Sequence, residues 1–311
     1  MFEFLKKRLL QLIFVAWGVG TVTFVMMRSL PGDMAYRIAA SRYGQDNVTA
    51  AAAELVRQEL QLDQAWWVSY DQWFVDLLQF NLGTSLVSGL PVVDMVKHQL
   101  GHSIMLAFCG IFIACLIAIP LGVFVAKSGK RFEKIALWCS TAIRAVPVFM
   151  IGLVLILLFA IELPLFPVAG FGSWQYLVLP SVTLGLSLAA VSNRVVTQSS
   201  RKVLGSPFYQ FAQVKGLSEK STFYRHGVRN IAVPVVAFVG IQLVSVIEGI
   251  VMIESLFSWP GIGHGLAHAI FARDIPVIQG SALMMGVLFV LLNTLIDLLC
   301  YWIDPRGAEE K

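Results

Sequence analysis

The sequence is poor in charge. Only 14% of its 311 residues are Asp, Glu, Lys or Arg, where a soluble domain carries about 25%. So few charges cannot cover soluble domains in which 57% of the residues are hydrophobic. The same figures exclude disorder, which needs low hydrophobicity and high charge. Cysteine is scarce as well. Cys109, Cys115, Cys139 and Cys300 are too few for a disulfide scaffold, and no CxxC or Cys/His zinc spacing occurs. Each lies in an apolar stretch and is expected to be a small buried hydrophobe. Nucleotide-binding glycine patterns are missing. Ser128-Gly-Lys-Arg131 lacks the upstream glycine and the hydroxyl residue of a P-loop, and Gly261-Ile-Gly-His-Gly265 opens no Rossmann unit. There is no HExxH and no evident nucleophile–base set, which argues against an intramembrane enzyme. No internal repeat is visible, which weakens a secondary-transporter reading.

What is present is apolar length. Mean hydropathy is +0.75, and a helix needs about 20 apolar residues to cross the hydrocarbon. Six runs qualify: 9–27, 103–126, 135–162, 176–196, 231–253 and 277–303. None alternates with period two, which argues against a β-barrel. The first run is followed by Phe24-Val-Met-Met-Arg28, with no small-x-small cleavage site, and is expected to remain as a span. The expected fold is an all-α integral membrane protein with six transmembrane helices.

The charges are concentrated. Lys6, Lys7 and Arg8 precede the first run, and Lys127, Lys130, Arg131 and Lys134 follow the second. Arg201, Lys202, Lys215, Lys220, Arg225 and Arg229 follow the fourth. The other connections are poor in basic residues or balanced by acids. Basic short loops mark the cytoplasmic side, so both termini are expected there. The chain then divides into a cytoplasmic N-terminus with the first helix (1–28) and an extracytoplasmic segment (29–102). A five-helix core (103–303) with a cytoplasmic loop (197–230) and a cytoplasmic tail (304–311) complete it. Within 29–102, Asn47–Leu62 reads as helical, and Trp66, Trp67, Tyr70, Trp73 and Phe74 suit a membrane interface.

The loop 197–230 carries a pattern of its own. Phe208, Phe211, Ala212, Val214 and Leu217 suggest a short helix. Gly216 suits its C′ position, where φ is positive. Ser218 suits the N-cap of a second helix, with His226 and Arg229 near that helix's end, and Pro234 suits the first turn of the next span. A helix, a glycine turn and a helix exposed on one face suit docking by a partner.

Charged residues inside spans mark function by default. Arg144 lies roughly 14 Å into the third run and Glu248 roughly 26 Å into the fifth, at 1.5 Å per residue. Asp297 lies near the inner end of the sixth. Arg144 is a candidate contact to an anionic group of a substrate, with Pro147 breaking the helix nearby. Glu248 and Asp297 together would suit a proton-coupled secondary transporter, the rival reading. His98 and His102, and His264 and His268, are spaced for one helical face. They are candidate contacts to a metal chelate, although His264 falls in a glycine-rich turn and no carboxylate or cysteine completes a site.

Phe211-Ala-Gln-Val-Lys-Gly-Leu-Ser218, with Arg225-His-Gly-Val-Arg-Asn230 and Pro234, resembles the "EAA" loop of ABC importer permeases. The closest form is that of the dipeptide, oligopeptide and nickel permease family. Leu30-Pro-Gly-Asp33, Leu62-Asp-Gln64, Asn81-Leu-Gly-Thr-Ser85, Glu254-Ser-Leu-Phe-Ser-Trp-Pro-Gly-Ile-Gly263, Arg273-Asp-Ile-Pro276 and Asp304-Pro-Arg306 agree with that family. The resemblance runs through nearly the whole chain. It implies a type I ABC importer permease in a bacterial inner membrane, without catalysis or cofactor of its own. Its partners would be a second homologous permease, two ATPases and an extracytoplasmic binding protein. It assigns ATPase coupling to Phe211, Ala212, Lys215, Gly216, Leu217 and Ser218, with Ala212 and Gly216 permitting close approach. Gln213 stands where many such loops begin Glu-Ala-Ala. Arg144, Glu248 and Glu254 become candidates for the substrate pathway. The implied cargo is a di- or oligopeptide, nickel or a metal chelate. The 170–180 and 270–279 stretches look most like the nickel branch.

Overall fold

The computed structural model describes residues 2–44, 46, 48–60 and 62–303. The tail 304–311, with its Asp304-Pro-Arg306 motif, lies outside the described residues. So do the side chains of Glu248 and Cys300. Among the described residues the chain is helical, with one isolated bridge between Thr84 and Pro91. The helices are α1 (Phe2–Ser29), α2 (Met34–Tyr43), α3 (Ala50–Glu59), α4 (Trp66–Leu78), α5 (Val92–Lys127), α6 (Lys130–Ala145) and α7 (Val148–Ile156). They continue with α8 (Gln175–Leu204), α9 (Pro207–Val214), α10 (Glu219–Thr222), α11 (Val228–Leu256), α12 (Ile262–Ala272) and α13 (Ile275–Ile303). Five described helices are long and apolar enough to cross a membrane, and six if the bent α6–α7 pair counts as one span.

Two compact units emerge. The first joins Met1–Ser103 to Pro260–Val290, and the second holds Ile104–Trp259 and Leu291 onward. The sequence boundary at 102/103 falls inside α5, because the amphipathic run from Val92 continues the helix without a break.

In the first unit, Asp33 caps α2 by accepting from the Ala35 backbone N–H at 2.9 Å, and Thr49 caps α3. Ile38 and Val56 are fully buried where these two helices meet. Asn47–Leu62 is helical only over Ala50–Glu59, and the aromatic cluster forms α4. There Tyr70 donates or accepts a hydrogen bond with Thr21 of α1 at 2.9 Å.

The second unit is centred on fully buried Leu106, Ile253, Phe257 and Trp259. Its α5–α8 seam is built on small residues. Gly110, Ala114, Ala118 and Gly122 recur every four residues along α5, and a Cβ at Gly110 or Gly122 would stand 2.6 Å from Leu184 or Val196 of α8. From the other side, a Cβ at Gly185 would meet Ile113 at 2.6 Å and the Gly110 carbonyl at 3.1 Å. Such seams let helix backbones approach where lipid offers no hydrophobic drive. Gly185→Val therefore overpacks the seam by about 1–3 kcal/mol. A clear fall in the melting temperature of the purified chain checks this. Gln242 of α11 closes the other side of α8, donating to the Leu188 carbonyl at 3.1 Å and the Ser192 hydroxyl at 3.0 Å.

Three sequence expectations change. The third apolar run is two helices bent by 94°. Val146 and Pro147 are extended at the break, since proline supplies no N–H and disfavours helix in the residue before it. α11 begins at Val228, so Pro234 lies inside the helix rather than in its first turn. Of the cysteines, Cys109 and Cys115 are half-buried and Cys139 is exposed.

Candidate functional site

The 207–230 loop begins where Pro207 occupies the first turn of α9. The helix ends in a Schellman motif. The Gly216 N–H donates to the Gln213 carbonyl at 2.9 Å, and the Leu217 N–H donates to the Ala212 carbonyl at 3.3 Å. Gly216 has φ +91°, and a Cβ there would meet nothing within 4 Å. Glycine is thus required by the backbone turn and not by crowding within the chain. Ser218 caps α10 by accepting from the Ser221 N–H at 3.3 Å, and Glu219 sits favourably in its first turn.

The loop does not stop after α10. A π-helical turn, Phe223–Gly227, carries it directly into α11. His226 and Arg229 therefore lie along a continuous helical path, not at the end of a separate short helix. The loop is also tied to its neighbours. Lys127, at the end of α5, pairs with Glu219 at 3.0 Å and sits 4.8 Å from the Phe223 ring centroid. Arg201 pairs with Glu133 of α6. Burial pushes the Tyr209 phenol up from its ordinary value.

At the end of α9 the exposed face carries two apolar side chains and a cation. Val214 is 85% exposed and Phe211 59% exposed, and the Lys215 ammonium lies 4.7 Å from the Phe211 ring centroid. Gly216 and Ser218 are exposed and Leu217 is half-buried. Ala212 differs from expectation. It is 7% exposed, because α9 turns that face, with Tyr209, into the chain's own core. Its small size suits that internal packing. Val214 takes its place on the exposed face. Its position two residues after Ala212 was readable, but the helical phase relative to α8 was not.

The family-like motifs of the first unit converge. Asp274 is 3% exposed. Its carboxylate accepts from the Ser85 hydroxyl at 2.5 Å and from the Leu86 N–H at 3.0 Å. Beside it, Arg273 adopts a left-handed conformation (φ 56°) and donates to the carbonyls of Leu30, Pro31 and Gly32. Leu30–Asp33, Asn81–Ser85 and Arg273–Pro276 are therefore one structural joint. Of the Glu254–Gly263 motif, Glu254–Trp259 supplies a turn to the second unit. Glu254 is fully buried, and its carbonyl accepts from the Trp259 N–H at 2.8 Å. Trp259 in turn packs edge-on against Phe171 at 5.2 Å.

Arg144 is exposed on the last turn of α6, beside the 94° break. Arg194 is exposed on α8, against which α6 packs. Arg194 falls within the 176–196 apolar run, where the surrounding hydrophobic residues mask it. Asp297 is exposed on α13. Both histidine pairs lie on helices, including His264 and His268, since α12 starts at Ile262. Their ring centroids are 4.7 Å apart for His98–His102 and 4.5 Å for His264–His268. Burial, then the neighbouring His268, lowers the His264 pKa from its ordinary value. Among the described residues, no three His, Cys, Asp or Glu side chains gather in a metal-holding group.

Residues 118–308 match the family of binding-protein-dependent transport system inner membrane components. The chain belongs to this family. It is similar to the glutathione transport system permease protein GsiC of Escherichia coli O6:H1 (strain CFT073), at 33% identity over 306 residues, covering 98% of each chain. The proteins of that name in Escherichia coli strain K12 and in Salmonella choleraesuis (strain SC-B67) match with the same identity and coverage. The chain is thus the permease subunit of an ABC importer and a multi-pass inner membrane protein. A permease component is not itself catalytic, and the importer has other permease, ATPase and binding-protein components. Family membership displaces the proton-coupled reading built on Glu248 and Asp297.

Proposed function

We propose that this permease pairs with a second, similar one and that two ATPases dock at the loops of the pair, one of them at this chain's 207–222 turn. An extracytoplasmic binding protein would deliver the substrate at the opposite face. Both termini would lie on the ATPase side, as the basic loops favour. The observation that carries this reading is the helix–glycine–helix turn with Phe211, Val214 and Lys215 exposed on it. Closure of the ATPases would move α9 and α10, and the movement would pass through the Lys127–Glu219 pair and the continuous path into α11. ATP would be hydrolysed on the separate subunits.

For cargo, we favour a short peptide bearing carboxylates. The glutathione-named relatives and the exposed cations Arg144 and Arg194 support this class. Nickel or a metal chelate is the second cargo class, through the histidine pairs. Arg144 would meet a substrate carboxylate beside the α6–α7 break. A hydrogen bond to a charged group is worth about 1.5–3 kcal/mol. Arg144→Gln should then raise the KM for peptide uptake about tenfold or more at unchanged expression. Wild-type kinetics in this variant would remove Arg144 from the pathway. Uptake by the purified complex, with peptides and nickel chelates compared side by side, tests the cargo class directly.

A further inference from the structure

A cavity of about 310 Å³ lies within the first unit. Its walls come from the end of α1, from α4, from the 81–86 stretch and from the first turns of α13. Phe24, Trp73, Leu62 and Pro276 make much of it apolar. Two of its lining residues each carry a buried nitrogen donor without a partner. Arg28 donates through Nη2 to the Gln64 carbonyl at 3.1 Å and stacks over Phe24 at 5.7 Å. Its Nη1 is buried and meets no hydrogen-bond partner among the described residues. Gln279 is 7% exposed, and its Nε2 likewise meets none. Native structures seldom leave buried donors unsatisfied, and two in one cavity point to an absent acceptor.

The acceptor's chemistry follows from the donors. A guanidinium N–H and an amide N–H both suit the oxygens of a phosphate or carboxylate. The Asp76 carboxylate also lines the cavity, and it accepts from the Asn81 amide at 3.3 Å. It would repel an anion placed against it, so the anionic group belongs at the Arg28 end. A cationic group of the same molecule would suit the Asp76 side. Position favours one source. Arg28 ends a candidate span, Lys6–Ser29, and Trp66 and Trp67, at the start of α4, are exposed. Arginine and tryptophan at the end of a span mark the headgroup level of a bilayer.

We propose that this cavity is a binding site for a phosphate group, held by Arg28 and Gln279 and supplied by a zwitterionic phospholipid headgroup. Native mass spectrometry of the full-length chain, purified with the subunits that accompany it, tests the site. Wild-type protein should retain phospholipid through a delipidating detergent wash. Gln279→Leu, which keeps the volume and removes the donor, should lower that occupancy about tenfold, the worth of a hydrogen bond to a charged group. Arg28→Lys keeps the charge and should lose less. After stripping, phosphatidylethanolamine and inorganic phosphate are added separately to wild-type protein, and the melting temperature is followed. A rise with the lipid alone supports the membrane source. A rise with both supports the phosphate site and assigns the recognition to the phosphate alone. Loss of all lipid from wild-type protein, with no response to either addition, overturns the proposal. So does equal retention in wild type and Gln279→Leu.

Discussion

Val214→Asp is expected to reduce uptake to background while leaving the permease folded and in the membrane. The side chain is 85% exposed, so the chain itself loses little packing when it changes. Phe211, 59% exposed, stands on the same short helix with the Lys215 ammonium above its ring. An exposed apolar pair with a cation has no evident role in folding, but it suits the centre of an interface. Hot-spot residues there are worth about 2 kcal/mol or more each, and a carboxylate buried against a partner adds a desolvation penalty. The ATPases should then fail to co-purify at concentrations where wild-type subunits stay bound. Phe211→Ala should weaken co-purification less, by about thirtyfold on the same hot-spot figure. Retained ATPase subunits in Val214→Asp would place the docking surface elsewhere.

The second large effect is structural. Asp274→Ala is expected to destabilise the joint of the first unit by about 2–5 kcal/mol, since two buried donors lose their acceptor at about 1–3 kcal/mol each. The Ser85 hydroxyl and the Leu86 N–H would both lose their acceptor. Arg273, next in the chain, holds Leu30–Gly32 from the same turn. The whole domain has only about 5–15 kcal/mol to lose. Hydrogen exchange should therefore speed up together over 30–33 and 81–92, with a marked drop in melting temperature. Asp274→Asn keeps an acceptor and should show a smaller loss. Exchange confined to residues beside the substitution would contradict the joint.

Much of this architecture was legible because lipid imposes a strong signal. The apolar runs located the spans, and Gly216 and Ser218 located the turn, since positive φ and N-capping favour those residue types. The 94° break at Val146–Pro147 was only half legible. Proline announces an interruption, but the angle depends on packing against α8. His264 was read as part of a turn because glycine suggests one. In the structure Gly263 and Gly265 lie within α12, where Gly265 sits against the tip of the Gln99 side chain. The inward face of Ala212 was hidden because an eight-residue helix has little phase information until it docks. The Arg273–Asp274 joint was hidden for another reason. Its partners are about 190 to 240 residues away in the chain, and no local pattern reports that pairing.

The most direct test of the account is uptake by the reconstituted importer in vesicles where ATP and the proton gradient are set independently. ATP should drive accumulation with the gradient collapsed, and Val214→Asp should abolish it. Accumulation driven by a proton gradient without ATP would contradict the account.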